Sequence, residues 1–552
     1  MIHGPTMTNW EVTARRKRES VQNAIPEEWL VPDINKRMTE AGYINSKLYI
    51  DTLVPSQEKK ITDCTVLELS AKISAGQLSS WDVCNAFCHR AALAHQLLNC
   101  CVEIFFYRAL DKARELDEIF ARTGKTVGPF HGIPISLKDQ LNIPGIDTTI
   151  GYVGYVDIQA KKQSLLASIL EKNGALFYVK TTVPMAMMAP ETVSNLMGVT
   201  LNGVNSRFSS GGSSGGEGAL IAARGSLLGL GTDIGGSIRI PAAFQGLYAL
   251  RPSHGRISYM DVANSYVGQE VVPSVIGPLA TSLEDIELLT KTVVESEAWK
   301  LDPKVVPIPW RDMSHLRKEK LRFAVMWWDG MVMVHPPVTR ALSKVVNALT
   351  GAGHEIIEYD FDHHKAVLNL ATKAFTADHG KEIEEVCNLS GEPFVEAIKP
   401  LVGYDPNEPP ISVEEWWAIG ESKSHLREKF FKYWQDTAKQ FSDGKMIDAI
   451  LCPVWPSAGF KKDDGNYAAI NYTVPFNILD CPSVILPVTL SDKMIDLPND
   501  TYVPVDDFDE KIHNYYDPNE FHGMPVCIQI VCRKFEEEKA LTITSIAANL
   551  IA

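Results

Sequence analysis

Two serines set in separate glycine clusters are the residues of this chain best equipped for chemistry. Gly211-Gly212-Ser213-Ser214-Gly215-Gly216 holds the first, and Gly231-Thr232-Asp233-Ile234-Gly235-Gly236-Ser237-Ile238-Arg239 the second. Upstream, Lys138 follows the apolar run of Pro134-Ile135-Ser136-Leu137-Lys138-Asp139. A serine hydroxyl attacks a carbonyl only when a base takes its proton. An amine is such a base once burial disfavours its ammonium form. Glycines let the main chain fold tightly around Ser213. The stretch from Glu217 to Ala223 then reads as a helix whose first N–H groups face that loop. In the second cluster the N–H groups of Ile234, Gly235, Gly236 and Ser237 can converge on one point. Such a nest suits the negative oxygen of an attacked carbonyl, and removing one donor costs ~3 kcal/mol of barrier. The set supports serine hydrolysis of amides without a histidine.

Blander readings compete with each feature. Lys138 is also an ordinary surface lysine paired with Asp139, and a glycine cluster is also a plain turn or a phosphate cradle. Neither Gly-x-x-x-x-Gly-Lys-Ser/Thr nor Gly-x-Gly-x-x-Gly is present to support the cradle. Gly211-Gly212-Ser213-Ser214-Gly215 also satisfies the Gly-x-Ser-x-Gly nucleophile elbow. That pattern makes Ser213 the nucleophile and requires a downstream acid and histidine. None of His254, His354, His363, His364, His379, His425, His513 and His522 stands in a distinctive context, and the second cluster is left unexplained.

With 552 residues, 45% of them hydrophobic, the chain can bury a large core. A net charge of −15 argues against a nucleic-acid surface. Arg15-Arg16-Lys17-Arg18 reads as the solvated face of a helical arm. Ten cysteines in this length do not make a disulfide framework. Cys84-Asn85-Ala86-Phe87-Cys88-His89 has helical spacing, which places its thiols on a buried helix face rather than around a metal. No apolar run reaches the ~18 residues of a membrane span. With no leader read at the start, a cytoplasmic protein without metal or membrane partner is expected.

Residues 1–62 read as an N-terminal helical arm, with Met1 to Thr6 an extension ahead of a natural start at Met7. Residues 63–552 read as the main domain. It has a core motif at 130–260 and a mostly helical insert at about 338–445. Thr65-Val66-Leu67-Glu68 is a capping-box pattern that opens a helix. Two more helices are predicted over 80–97 and 107–122. Strand-like runs fall at 133–137, 175–179, 227–230, 321–326, 447–451, 484–488 and 526–531, and a last helix begins near Glu536. The stretch 491–521 reads as a long surface loop. This βα rhythm predicts an α/β fold, a large mixed central sheet covered by helices on both faces.

The stretch from Gly211 to Pro241 resembles the signature of the amidase signature family. Pro129-Phe130-His131-Gly132-Ile133-Pro134, Tyr178-Val179-Lys180-Thr181, Leu250-Arg251-Pro252-Ser253-His254-Gly255-Arg256 and Ile25-Pro26-Glu27-Glu28-Trp29 resemble its fungal acetamidase branch. The resemblance spans about Thr65 to the C-terminus. It implies that Ser237 is the nucleophile and becomes acylated. Ser213, on a cis peptide bond, would relay the proton to neutral Lys138. The N–H groups of Ile234, Gly235, Gly236 and Ser237 would form the oxyanion hole, with Asp233 and Arg239 holding the loop. Met187 falls where the family lines its acyl pocket; Met188 is adjacent, and Trp455 is a candidate cap. The expected substrates are small aliphatic amides, acetamide-like, with no cofactor and no metal. Small carbamates or esters are the alternative, and a tRNA-dependent amidotransferase subunit is a remoter one. By analogy with the family, a homo-oligomer is expected.

Overall fold

The computed structural model describes residues 9–462, 464 and 469–552. The extension read over residues 1–6 lies outside them. The chain divides into two compact units. The first holds the residues up to Gly231 together with Ser258–Gly268 and Asp378–Pro410; the second holds Thr232–Ile257, Gln269–Ala377 and Ile411–Ala552.

Eleven strands form a large mixed sheet. In the first unit these are β1 (Cys101–Ile104), β2 (Pro134–Lys138), β3 (Leu176–Thr181) and β4 (Leu228–Asp233), whose last two residues already belong to the second unit. Their order is β1-β3-β2-β4. β1 runs antiparallel to β3, and β2 runs parallel to both of its neighbours. The second unit contributes β5 (Tyr248–Arg251), β6 (Val275–Ala280), β7 (Arg322–Val325), β8 (Glu355–Glu358), β9 (Ala449–Pro453), β10 (Ser483–Leu490) and β11 (Pro525–Val531). Their order is β6-β5-β10-β11-β9-β7-β8. Every residue of β2, β4, β6, β9 and β11 is buried. Successive side chains of a strand point to opposite faces, so complete burial means that both faces of these strands are covered.

The helices begin where short polar side chains can bond free N–H groups. Thr65 and Ser79 close capping boxes with Glu68 and Asp82, opening Val66–Ser74 and Ser80–Leu98. The latter buries Cys84, Phe87, Cys88, Ala91 and Ala92 on its inner face, the face its spacing predicts. Phe106–Thr123 and Glu537–Ile551 fall close to their predicted positions.

Several expectations need revision. β1, β5, β6 and β8 escaped the pattern reading, since three have only four residues and β6 carries a glycine and a proline. The stretch read as one long loop contains helices Asp507–Asn514 and Pro518–Phe521, capped by Asp506 and Asp517. Within 338–445 the helices His364–Phe375, Lys381–Ser390 and Val413–Asp436 are accompanied by β8, and Asp378–Pro410 packs with the first unit.

In the basic run of the arm Arg15, Arg16 and Arg18 are exposed, as read, but Lys17 is not. Lys17 is buried and contacts Glu103 and Asp147, the latter at 2.8 Å. Arg16 pairs with Asp157, and Arg18 donates to the carbonyls of Asn195 and Leu196. Burial alone would lower the Lys17 amine; Glu103 and Asp147 outweigh it and hold the amine above its ordinary value. Ala14, Val21 and Ile25 of the arm join the core cluster that contains Cys88, Leu97 and Val179.

Candidate active site

The residues singled out above fall into two groups, one in each unit. In the first unit, β2 carries Lys138 at its C-terminal end, where the side chain is completely buried. Its Nζ lies 2.8 Å from Ser213 Oγ. Ser213 is itself only 2% exposed, and the peptide bond from Gly212 to it is cis. The loop then enters helix Gly215–Ala222. Gly216 donates its N–H to the Thr182 carbonyl at 3.2 Å, and a Cβ there would meet that residue's backbone at 2.5 Å. Only glycine lets the loop press this closely on the end of β3.

Asp139 is not the partner of Lys138. Its Oδ2 accepts from the Thr149 N–H and hydroxyl and from the Ile150 N–H, while Lys180 lies 3.2 Å from Oδ1. The surface-lysine reading therefore fails on both burial and pairing. The histidine that the nucleophile-elbow reading requires is not the side chain that meets Ser213, which is a lysine.

In the second unit, the turn after β4 is organised around Asp233, which is fully buried. Its carboxylate accepts from Arg239 Nε and an Arg239 terminal nitrogen, both at 3.0 Å. It also accepts from the Gly236 N–H at 2.8 Å, the Ile238 N–H at 3.2 Å and Asn477 Nδ2 at 2.8 Å. Burial alone would raise this carboxyl, but the Arg239 guanidinium holds it well below the usual carboxylate range. Arg239 continues to the Thr473 carbonyl and the Asn477 side chain. Thr473 donates its hydroxyl to the Gly235 carbonyl at 2.6 Å. Gly236 has φ +131°, which only glycine adopts readily. The result is a turn locked from inside, carrying Ser237 at 8% exposure and half-buried Ile234 and Gly235. The Gly236 N–H, one of the four expected oxyanion donors, is already engaged by Asp233.

Met187 packs in an apolar cluster of the first unit with Ile383, Cys387, Ile398 and Val402, and Met188 lies against that cluster. Trp455, in the second unit, is 2% exposed and meets Phe244 edge-on at 5.6 Å. Thr473 and Asn477 escaped the sequence reading. They belong to an ordinary apolar stretch, and no local signal marks them as anchors of a turn more than two hundred positions earlier.

A family model described as Amidase matches residues 82–541. The chain belongs to the amidase family. It is 40% identical to an acetamidase of Emericella nidulans over 549 residues, 98% of each chain. It is 41% identical to an acetamidase of Aspergillus oryzae, over 98% of this chain and 99% of that one. Among solved structures it is similar to a fatty acid amide hydrolase, with a TM-score of 0.92 and 35% identity over 98% of this chain and 95% of the other. It is thus an amide-hydrolysing enzyme. No helix among its described residues is long and apolar enough to cross a membrane.

Proposed function

We propose that this amidase hydrolyses short aliphatic amides, acetamide-like, to a carboxylate and ammonia through an acyl-enzyme on Ser237. Ser237 Oγ adds to the amide carbon while its proton passes to Ser213, and the Ser213 proton passes to Lys138. The oxyanion is met by the N–H groups of Ile234, Gly235 and Ser237, the donors of that turn other than Gly236. The relay then returns a proton to the departing nitrogen, which leaves as ammonia. Water attacks the ester, the same relay takes its proton, and the carboxylate is released.

The observation that carries this reading is the buried contact of Lys138 Nζ with Ser213 Oγ at 2.8 Å. Complete burial disfavours an ammonium, and an uncharged amine is what the relay needs. The Asp233–Arg239 lock supports the other half, since an oxyanion hole works by donors fixed before charge develops. The short acyl group is supported by the two acetamidases at about 40% identity. A second reading, long-chain acyl amides, is favoured by the likeness to the fatty acid amide hydrolase. Small carbamates and esters share the same tetrahedral chemistry.

Ammonia release from acetamide, hexanamide, a long-chain amide and an aryl amide, with ethyl carbamate as a competitor, ranks these readings. The highest kcat/KM is expected for acetamide or its nearest homologues; a maximum at the long-chain amide overturns the short-acyl assignment. A fluorophosphonate probe is expected to label Ser237, and labelling of Ser213 instead would return the nucleophile to the first cluster.

A further inference from the structure

A second carboxyl, buried behind the lysine, has no role in the relay described above. Glu217 lies in the first turn of helix Gly215–Ala222 and is completely buried. Ser136 and Lys138 are two positions apart on β2, so both side chains leave the same face of the strand. Ser136 Oγ lies 2.6 Å from Glu217 Oε2, and Thr181 Oγ1 lies 2.8 Å from Glu217 Oε1. Thr181 is the β3 partner of Lys138 in the sheet register. Position 229 must be glycine for the carboxyl to fit, since a Cβ there would stand 1.9 Å from Oε2.

The hydrogens of this cluster can be followed one by one. Ser226 Oγ donates to the Leu228 carbonyl at 3.0 Å, and a carbonyl only accepts. Ser226 therefore has only lone pairs to offer Ser136, which donates to it at 3.0 Å. A hydroxyl has one proton. That one proton is offered two acceptors, Glu217 Oε2 at 2.6 Å and Ser226 Oγ at 3.0 Å; when Ser136 turns it to Ser226, the proton of the Glu217 contact comes from the carboxyl.

We propose that Glu217 is a positioning residue held as the neutral acid beneath Lys138, so that no carboxylate there fixes the lysine as an ammonium ion. A carboxylate beside a buried amine would stabilise the charged form and remove the base. A neutral acid fills the same space, satisfies Ser136 and Thr181, and keeps water away from the amine. Burial pushes this carboxyl up to about 8, against the opposing influence of the two hydroxyls and Lys138. The other titratable groups facing it are Cys100, Cys101 and Tyr178. Burial raises the tyrosine far above its ordinary value. The inference rests on Lys138 being the base, and its test separates the two.

The first measurement is an infrared titration of the parent enzyme. The carbonyl stretch of a protonated carboxylic acid is expected at pH 7, fading as the pH rises past 8, and absent at pH 7 from Glu217→Gln. A parent spectrum without any such band at pH 7 overturns the proposal, and no variant is needed for that result. The second is the pH profile of kcat/KM. Glu217→Ala opens the space beside Lys138 to water, and a loss of about tenfold is expected, with the ascending limb moved to higher pH. Glu217→Gln, which mimics the neutral acid, is expected to rescue both the rate and the limb. An ascending limb moved toward acid in Glu217→Gln means that the parent carboxyl is ionised, and overturns the proposal. Should Lys138→Ala retain activity, the base assignment fails while the infrared result still reports on Glu217.

Discussion

A serine at 8% exposure and a lysine at none are poor candidates for surface decoration, and each makes a measurable claim. Ser237→Ala is expected to lower kcat by roughly 10³-fold or more on every amide the parent hydrolyses, the scale seen when a nucleophile is removed from an acyl-transfer site. Near-native turnover in steady-state assays would remove Ser237 from the mechanism. Asp233 makes a different claim, about stability. Asp233→Asn keeps the shape of the carboxylate but leaves Arg239 buried without its counter-charge, a change expected to cost roughly 3–5 kcal/mol in urea unfolding. Because the folded carboxyl titrates below its ordinary value, its contribution is complete above about pH 4 and is lost only as the pH falls toward the folded value. The difference between variant and parent should therefore stay constant from pH 5 to 8. Ser213 and Ser237 declare themselves through their glycines, but nothing near Ser136 or Glu217 in the chain announces that the two meet.

Among the elements, the first described helix, Asn9–Asn23, is held on the first unit by more than its apolar face. Lys17 reaches two carboxylates, the half-buried Glu103 and the buried Asp147. Lys17→Ala is expected to destabilise the attachment of this helix by roughly 3 kcal/mol or more, the cost of breaking a buried ion pair. Limited trypsin digestion checks it: cleavage at Arg15, Arg16 or Arg18 should speed up in the variant while the rest of the chain stays protected. Equal cleavage rates in parent and variant would show that the apolar contacts alone hold the helix. This docking was not legible in the sequence. A run of four basic residues looks the same whether water or a buried carboxylate faces it, and Glu103 and Asp147 are each far away in the chain.

For the molecule as a whole, buried groups that cannot accept a proton set the acid limit of stability. His335 is 2% exposed in the second unit, its Nε2 meets the Ile512 carbonyl at 2.8 Å, and its Nδ1 has no hydrogen-bond partner. A carbonyl only accepts, so Nε2 carries the hydrogen and Nδ1 is the site a second proton would need. Burial lowers the imidazole to about 4. The unfolded chain binds that proton near pH 6.5, so stability falls as the pH drops from there toward 4, by up to about 3 kcal/mol from this residue. Urea unfolding at pH 7 and pH 4.5 should show the parent losing more stability than His335→Gln, whose amide can still donate to Ile512. An equal loss in both would place the acid limit elsewhere.

What the chain determines by itself is local chemistry and local geometry. Glycine clusters tell where the backbone turns tightly around a serine, capping boxes tell where helices start, and buried apolar runs tell which strands lie inside. Those signals depend on residues within a few positions of one another, and they sufficed to single out Ser213, Ser237 and Lys138 as candidates and to place most of the strands. Tertiary structure alone decided which partner each polar group meets. Lys138 turned away from its sequence neighbour Asp139 toward a serine on another loop, Asp233 drew Asn477 to its turn, and Glu217 found Ser136 and Thr181. The reason is physical: a buried donor or acceptor must be satisfied by whatever the packed elements bring within about 3 Å, and chain order places no limit on where that partner comes from.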